Sequence, residues 1–518
     1  MAAVLTPATR VRWVVWALAA GLLGLLVAEA WRNIAAGWAF TTDDAYITLR
    51  YARHLATGHG VVWNVGETPP VEGYTNFLYV LLGAASMLAH VDPIALFKAL
   101  GVASLAGTVL ASWWLARTWV GPLAALLPGL FLVTYQGELF WVTSGLETPT
   151  FQFLVVAAIA AFVRALRFRP VPATDDAPPP PPTGVDLRWL AFSAVLAFLA
   201  CLTRPDGVLV ALALAVALLA RARFAPRPWL VVGVAFVLPT ALYHAWRVAH
   251  FGALLPHSVV CKLAYTGDPN VLTRDYWRFA APFALLALAH PWRRLDARHA
   301  LLWLVPLAYA ALLQGADPII GYWNRHALAA IALLLIAAVA ALGNVAAYVL
   351  APLGRAWREI LLAFGVVIYV AATSSDFSDA LRRDAAHYAR RMDARADLSA
   401  WLQAHTGPDD QVLMGDVGRA VYDVPASVID AFCLNCRAMS EPPVSFSAER
   451  FADAVFARAP AVLIVHSARA DRLAPRGEYG VFPAIVRHPA FARDYQHATT
   501  IGAPGDDFHY WVYTRRPR

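Results

Sequence analysis

Apolar runs with few charges recur along the first 373 residues, and the pattern changes abruptly after them. The runs fall at 13–31, 75–90, 94–116, 119–136, 149–166, 188–204, 206–222, 229–250, 278–290, 300–314, 326–343 and 358–373. A helix of about 17–22 apolar residues crosses a ~30 Å hydrocarbon core. The runs therefore predict an α-helical polytopic membrane domain over 1–373 with about eleven transmembrane helices. Three runs lie between 75 and 136 where the alternation of sides admits only two full crossings, so one has to be re-entrant or partial. Pro122 and Pro128 single out the third, because proline removes a helical donor and clashes with the preceding turn.

From residue 374 onward, charged and turn residues replace the apolar runs. Helical periodicity over 378–405 and 451–458, with β-like segments at 411–414, 427–429, 461–465 and 509–513, predicts a C-terminal soluble α/β domain over 374–518. Residues 170–186, with the proline run 178–182, read as a linker without chemistry of its own.

The composition agrees: 59% of the 518 residues are hydrophobic and only 15% charged, which excludes an ordinary soluble domain. The net charge of +7 collects in short connections. Arg164, Arg167, Arg169 and Arg188 flank one, Arg221, Arg223 and Arg227 the next, then Arg293, Arg294 and Arg298, then Arg355 and Arg358. Basic loops are retained on the cytoplasmic side, so these arginines set orientation and give no support to a nucleic-acid partner. The expected location is a bacterial inner membrane crossed many times. Its outer face receives 32–74, 138–148, the turn 203–206, 251–277, 315–325 and the whole of 374–518. Of the four cysteines, Cys433 and Cys436 form a CxxC. With no second such pair or zinc-like histidine spacing, a structural disulfide or two idle thiols outweighs a metal or redox site.

The polar chemistry gathers on that outer face. Thr41 to His54 reads as a helix with Thr42 as N-cap and Gly58 near its end. Asp43 and Asp44 sit in its first turn, and Arg50 and His54 follow on the Asp43 face, with Tyr51 beside them. Acidic helix caps are common, but charged groups at the lip of a membrane bundle are costly unless they pair or act. Glu72 and Tyr74 precede the second apolar run, and Glu147 opens a later one. Arg204 and Asp206 flank Pro205 in a tight turn, where a local ion pair competes with a cation aimed outward. His257, Lys262, Asp317, Arg325 and His326 complete the set. Carboxylates beside cations suit a reaction in which an acceptor hydroxyl loses its proton while a phosphate-linked leaving group is neutralised. The residues leave room for a divalent cation (Mg2+, Mn2+ or Ca2+) held by Asp43 and Asp44.

The segments Asp43-Asp44-Ala45-Tyr46-Ile47-Thr48-Leu49-Arg50-Tyr51-Ala52-Arg53, Trp63-Asn64-Val65-Gly66-Glu67 and Val71-Glu72-Gly73-Tyr74-Thr75-Asn76 resemble the opening of GT-C membrane glycosyltransferases. Within that class they are similar to the mycobacterial terminal β-(1,2)-arabinofuranosyltransferases. Gly145-Leu146-Glu147-Thr148-Pro149, Arg204-Pro205-Asp206-Gly207 and Leu255-Pro256-His257-Ser258 continue the pattern in order. The resemblance implies a GT-C-like bundle with a catalytic first outer loop, 32–74, and a periplasmic C-terminal domain. It also implies an inverting hexosyl or pentosyl transferase moving a sugar, arabinofuranose among the candidates, from a polyprenyl-phosphate donor to a cell-envelope glycan, lipid or protein. Carried over by position, Asp43 is the base and Asp44 its support. The sequence departs from the pattern at Gly315-Ala316-Asp317-Pro318 and at Phe432-Cys433-Leu434-Asn435-Cys436. Two other classes compete: a glycolipid transporter or flippase, against which stands the scarcity of carboxylates within spans, and a non-catalytic glycan-binding membrane protein, which would leave the acidic pair without a task.

Overall fold

The computed structural model describes residues 7–172, 184–264, 267–290, 296–316, 321–373, 377–477, 480–503 and 505–517. The chain divides into two compact units. One comprises Met1–Trp38, Lys98–Tyr243 and Gly267–Arg383, and the other Ala39–Phe97, His244–Thr266 and Asp384–Arg518.

Among the described residues, five helices are long and apolar enough to cross a membrane: Thr9–Gly37, Pro93–Ala116, Thr148–Ala165, Pro226–Phe251 and Trp323–Val349. Four more apolar helices, Phe77–Leu88, Leu187–Thr203, Gly207–Ala222 and Ala297–Leu312, are shorter. The chain is a multi-pass membrane protein of mostly helical fold. In the first unit the centre is the helix Leu328–Val349, in which every residue from Leu328 to Ala341 is buried. A helix apolar on all sides belongs in the middle of a bundle.

The run 119–136 breaks, but the break falls at Tyr135, whose backbone is extended, and not at Pro122 or Pro128. Ala124–Thr134 is followed by Gln136–Thr143 at a 66° bend, and the pair counts as a sixth span only if taken together. The run 75–90 also falls short, forming the 12-residue helix Phe77–Leu88, about 18 Å long at 1.5 Å per residue.

The second unit contains a five-stranded sheet of β1 (Gln411–Met414), β2 (Ser427–Asp430), β3 (Val462–Ser467), β4 (Tyr495–Gly502) and β5 (His509–Arg515) in the order β2-β1-β3-β5-β4. β1 pairs in parallel with β2 and β3, with Val412 opposite Val428 and Val462, and β5 runs antiparallel to β3 and β4. β3 is buried along its whole length, as its unbroken Val-Leu-Ile-Val run requires of a central strand. The first-loop residues Ile47, Tyr51, Trp63, Val71 and Tyr74 share one hydrophobic core with Leu398, Val412, Val428, Ile464 and Tyr510. The loop after the first apolar run is thus folded onto the sheet.

Candidate active site

In the second unit the helix containing the acidic pair runs Asp44–Ala56, with Asp43 rather than Thr42 at the cap position. The displacement has a cause. Asp43 does not cap its own helix; its Oδ1 accepts from the Arg419 backbone N–H at 2.8 Å and its Oδ2 from that of Gly418 at 3.1 Å. A Cβ on residue 418 would collide with the Asp43 carboxylate, so glycine permits this approach. Arg395, on the helix Phe377–His405, sets its Nε 3.1 Å from Asp43 Oδ1 and its Nη2 2.7 Å from Asp416 Oδ2, and the Tyr510 hydroxyl donates to the same Asp416 oxygen at 2.7 Å. Two carboxylates therefore share one guanidinium.

The electrostatics split the pair. Burial and the neighbouring Asp416 carboxylate raise the Asp43 pKa well above the ordinary value, against the opposing pull of Arg395. Asp416 is also buried, yet the guanidinium, with help from His466 and Tyr510, holds it below the usual carboxylate range. This is the expected behaviour of like charges that cannot both ionise freely. Asp44, in the first helical turn, is exposed.

The groups around Asp43 disfavour a divalent cation shared with Asp44. Both Asp43 oxygens already face N–H donors, and the Arg395 guanidinium stands beside one of them. His257, Cys261 and Cys433 bring ligand atoms within 4.8 Å of one another, but the two sulfurs are joined in a disulfide and offer no thiolate. This bond pairs Cys433 with Cys261, 172 residues away, and not with its CxxC neighbour Cys436, whose buried thiol is pushed up to about 12.

The other candidates in this unit are spread among structural tasks. Arg50, only 2% exposed, donates to the carbonyls of Trp63, Val421, Val424 and Ala426 and lies over the Trp63 ring. The Tyr51 hydroxyl accepts from the Gly73 N–H and lies 2.9 Å from both the Val71 carbonyl and Asn435 Oδ1. Tyr74 packs edge-on against Tyr51 at 4.8 Å. Arg247 Nε lies 2.9 and 2.7 Å from the two oxygens of the buried Glu72. His257 sets Nε2 3.2 Å from the Cys436 carbonyl, and burial lowers its pKa. Lys262 is in the last turn of the helix His257–Leu263.

The first unit gathers a different set. Arg204 chelates Asp206, Nε to Oδ1 at 3.0 Å and Nη2 to Oδ2 at 3.1 Å, and the Tyr309 hydroxyl donates to Asp206 Oδ2 at 2.7 Å. Glu147 Oε1 lies 3.2 Å from Arg325 Nη2 and 4.0 Å from Arg204 Nη1, and His326 Nδ1 contacts Arg204. Glu147, Arg204, Asp206, Arg325 and His326 are thereby one buried ionic network. Asp317 lies outside the described residues.

Sequence reasoning missed Arg395, Asp416, Tyr510 and Arg247. An arginine such as Arg247 within an apolar run is itself a signal, since it needs a partner.

In fold and in its first-loop motifs the chain resembles the GT-C membrane glycosyltransferases. A terminal beta-(1->2)-arabinofuranosyltransferase of Mycobacterium tuberculosis (strain ATCC 25618 / H37Rv) is 28% identical over 234 residues, 44% of this chain and 35% of that protein, so the match spans about a third of the relative. The crystal structure of ArnT from Cupriavidus metallidurans bound to undecaprenyl phosphate superimposes with a TM-score of 0.56 at 15% identity, covering 96% of this chain and 99% of that one. Archaeal oligosaccharyltransferase AglB from Archaeoglobus fulgidus, in complex with an inhibitory peptide and a dolichol-phosphate, gives 0.53 at 13% identity over 94% of this chain and 74% of that one. At such identities the two structures establish the fold alone. A family model described as a domain of unknown function (DUF8728) matches residues 382–513.

Proposed function

We propose that this protein is an inverting glycosyltransferase that moves a pentofuranose, arabinofuranose foremost, from a polyprenyl-phosphate donor to a hydroxyl of a cell-envelope glycan. The observation that carries the reading is the Asp43–Arg395–Asp416 arrangement on a fold shared with a transferase structure bound to undecaprenyl phosphate. Asp43 takes the proton of the acceptor hydroxyl. The new glycosidic C–O bond forms as the anomeric carbon–phosphate oxygen bond breaks from the opposite face, and polyprenyl phosphate leaves. Asp416 stays ionised on Arg395 and tunes Asp43 through its charge. Asp44 supports the same wall, and Lys262, in the same unit, is the cation assigned to the lipid phosphate.

The bundle crosses a bacterial inner membrane about eleven times in this reading, with 374–518 outside the cytoplasm. The Cys261–Cys433 disulfide supports that side, because such bonds persist in oxidising compartments. The arabinofuranosyltransferase relative supports the choice of a pentose. The test is to offer the purified chain a polyprenyl-phosphate pentofuranose and a polyprenyl-phosphate hexose in parallel with an oligosaccharide acceptor. Transfer from the pentose donor is expected; transfer from the hexose alone would replace the sugar, and transfer from neither would remove the reading.

A further inference from the structure

A cleft of about 650 Å³ opens in the second unit at the amino-terminal ends of β1 and β2. Gln411 begins β1 within it, whereas Asp416, beside Asp43, lies beyond the other end of the same strand. At about 3.3 Å per residue the two places are roughly 15 Å apart. The cleft therefore owes nothing to the acidic pair, and its size falls within the about 300–1,000 Å³ usual for small-molecule sites.

Its lining defines what it can hold. The edge of β2 is closed to an added strand at Val428, whose N–H donates to Asn64 Oδ1 at 2.8 Å and whose carbonyl accepts from Asn64 Nδ2 at 3.1 Å, so an extended peptide finds no ladder there. Four charged side chains face the space, Glu67 and Glu441 against Arg437 and Arg458. Two carboxyl groups stand against two guanidinium groups, with Glu441 Oε1 3.7 Å from Arg437 Nη1 and burial raising Glu67 to about 7, so a phosphate would meet carboxyl groups as often as guanidinium groups. Behind the lining, Glu67 Oε2, Gln411 Oε1 and Arg437 Nε are buried atoms with no hydrogen-bond partner among the described residues. The accessible lining nonetheless mixes acceptor and donor, since Glu441 and Arg458 are exposed, and each hydroxyl of a polyol is donor and acceptor at once. Pro69, Pro442 and Val444 add apolar surface for the C–H faces of a sugar ring.

We propose that this cleft is a second, non-catalytic carbohydrate site that binds a neutral oligosaccharide segment, with Glu67, Glu441 and Arg458 gripping its hydroxyls. The proposal is read by binding and not by transfer, so it stands or falls apart from the transferase reading. The test uses the detergent-solubilised full chain without donor, titrated by calorimetry with an arabinofuranosyl hexasaccharide, with maltohexaose and with inorganic phosphate. Glu441→Ala and Arg458→Ala alter exposed residues and leave the melting temperature unchanged; Glu67→Gln keeps the shape of its side chain. Saturable binding of either oligosaccharide, weakened at least fivefold by any of the three substitutions, is expected. Failure of both to bind, binding that survives all three substitutions, or saturation by phosphate in their place would overturn it.

Discussion

Arg395 Nε stands 3.1 Å from Asp43 Oδ1, which makes the guanidinium the main force opposing the upward pull of burial on that carboxyl. Because the Asp43 pKa is raised, the ionised base is lost as pH falls through a value above the ordinary 3.8, and the acid limb of kcat/KM lies correspondingly high. Arg395→Gln removes a lowering influence from Asp43 and from Asp416. The expected result is a further displacement of that limb toward higher pH, read from pH–rate profiles of the two proteins. For stability the sign is opposite: the contribution of protonated Asp43 is present below 3.8 and fades as pH rises through the raised value.

Glu72 and Arg247 are 3% and 2% exposed. Removing one partner strands the other charge, so Arg247→Met should destabilise the protein by about 3–5 kcal/mol. Replacing both, as Glu72→Gln with Arg247→Met, should restore much of that loss in thermal melts, as a buried pair implies and an exposed one does not.

The Cys261–Cys433 bond closes 172 residues of chain. Cys433→Ser should lower unfolding stability by about 2–4 kcal/mol and expose the Cys261 thiol to alkylation under non-reducing conditions. Cys436 should stay unlabelled in the native protein, since it is buried and its thiol resists ionisation. A disulfide between Cys433 and Cys436 in peptide mass spectrometry would contradict this pairing.

Arg204 holds Asp206 through two parallel hydrogen bonds. Lysine cannot reproduce that fork, so Arg204→Gln should lower stability by about 3–5 kcal/mol in thermal melts, by leaving the Asp206 and Glu147 carboxylates short of a partner, and Arg204→Lys should recover little of that loss. Rescue by lysine would show that charge alone suffices there.

The strands rich in β-branched residues and the regular helices were legible because their faces are buried: β1, β2, β3 and β5 and the helix Ala448–Arg458 fall where periodicity puts them. β4 escaped because it is an edge strand whose Gln496 and His497 are exposed, leaving no alternation to read. Asp43 stood out as an acidic residue after an apolar run, but its partners come from residues 395, 416, 418 and 419. Long-range pairing of that kind leaves no local periodicity. Arg50 misled because a motif arginine on the Asp43 face invites a ligand, whereas its four carbonyl acceptors come together only when the 421–426 turn closes on the loop.

The central claim is that Asp43 removes the acceptor proton while polyprenyl phosphate departs. It is tested most directly by measuring free polyprenyl phosphate released per sugar transferred by the purified wild-type protein and by Asp43→Asn. One molecule of lipid phosphate per sugar, with a rate about 10²–10⁴-fold lower in the variant at a temperature where both proteins remain folded, is predicted. Equal rates in the two proteins, or sugar delivery without release of lipid phosphate, would contradict it.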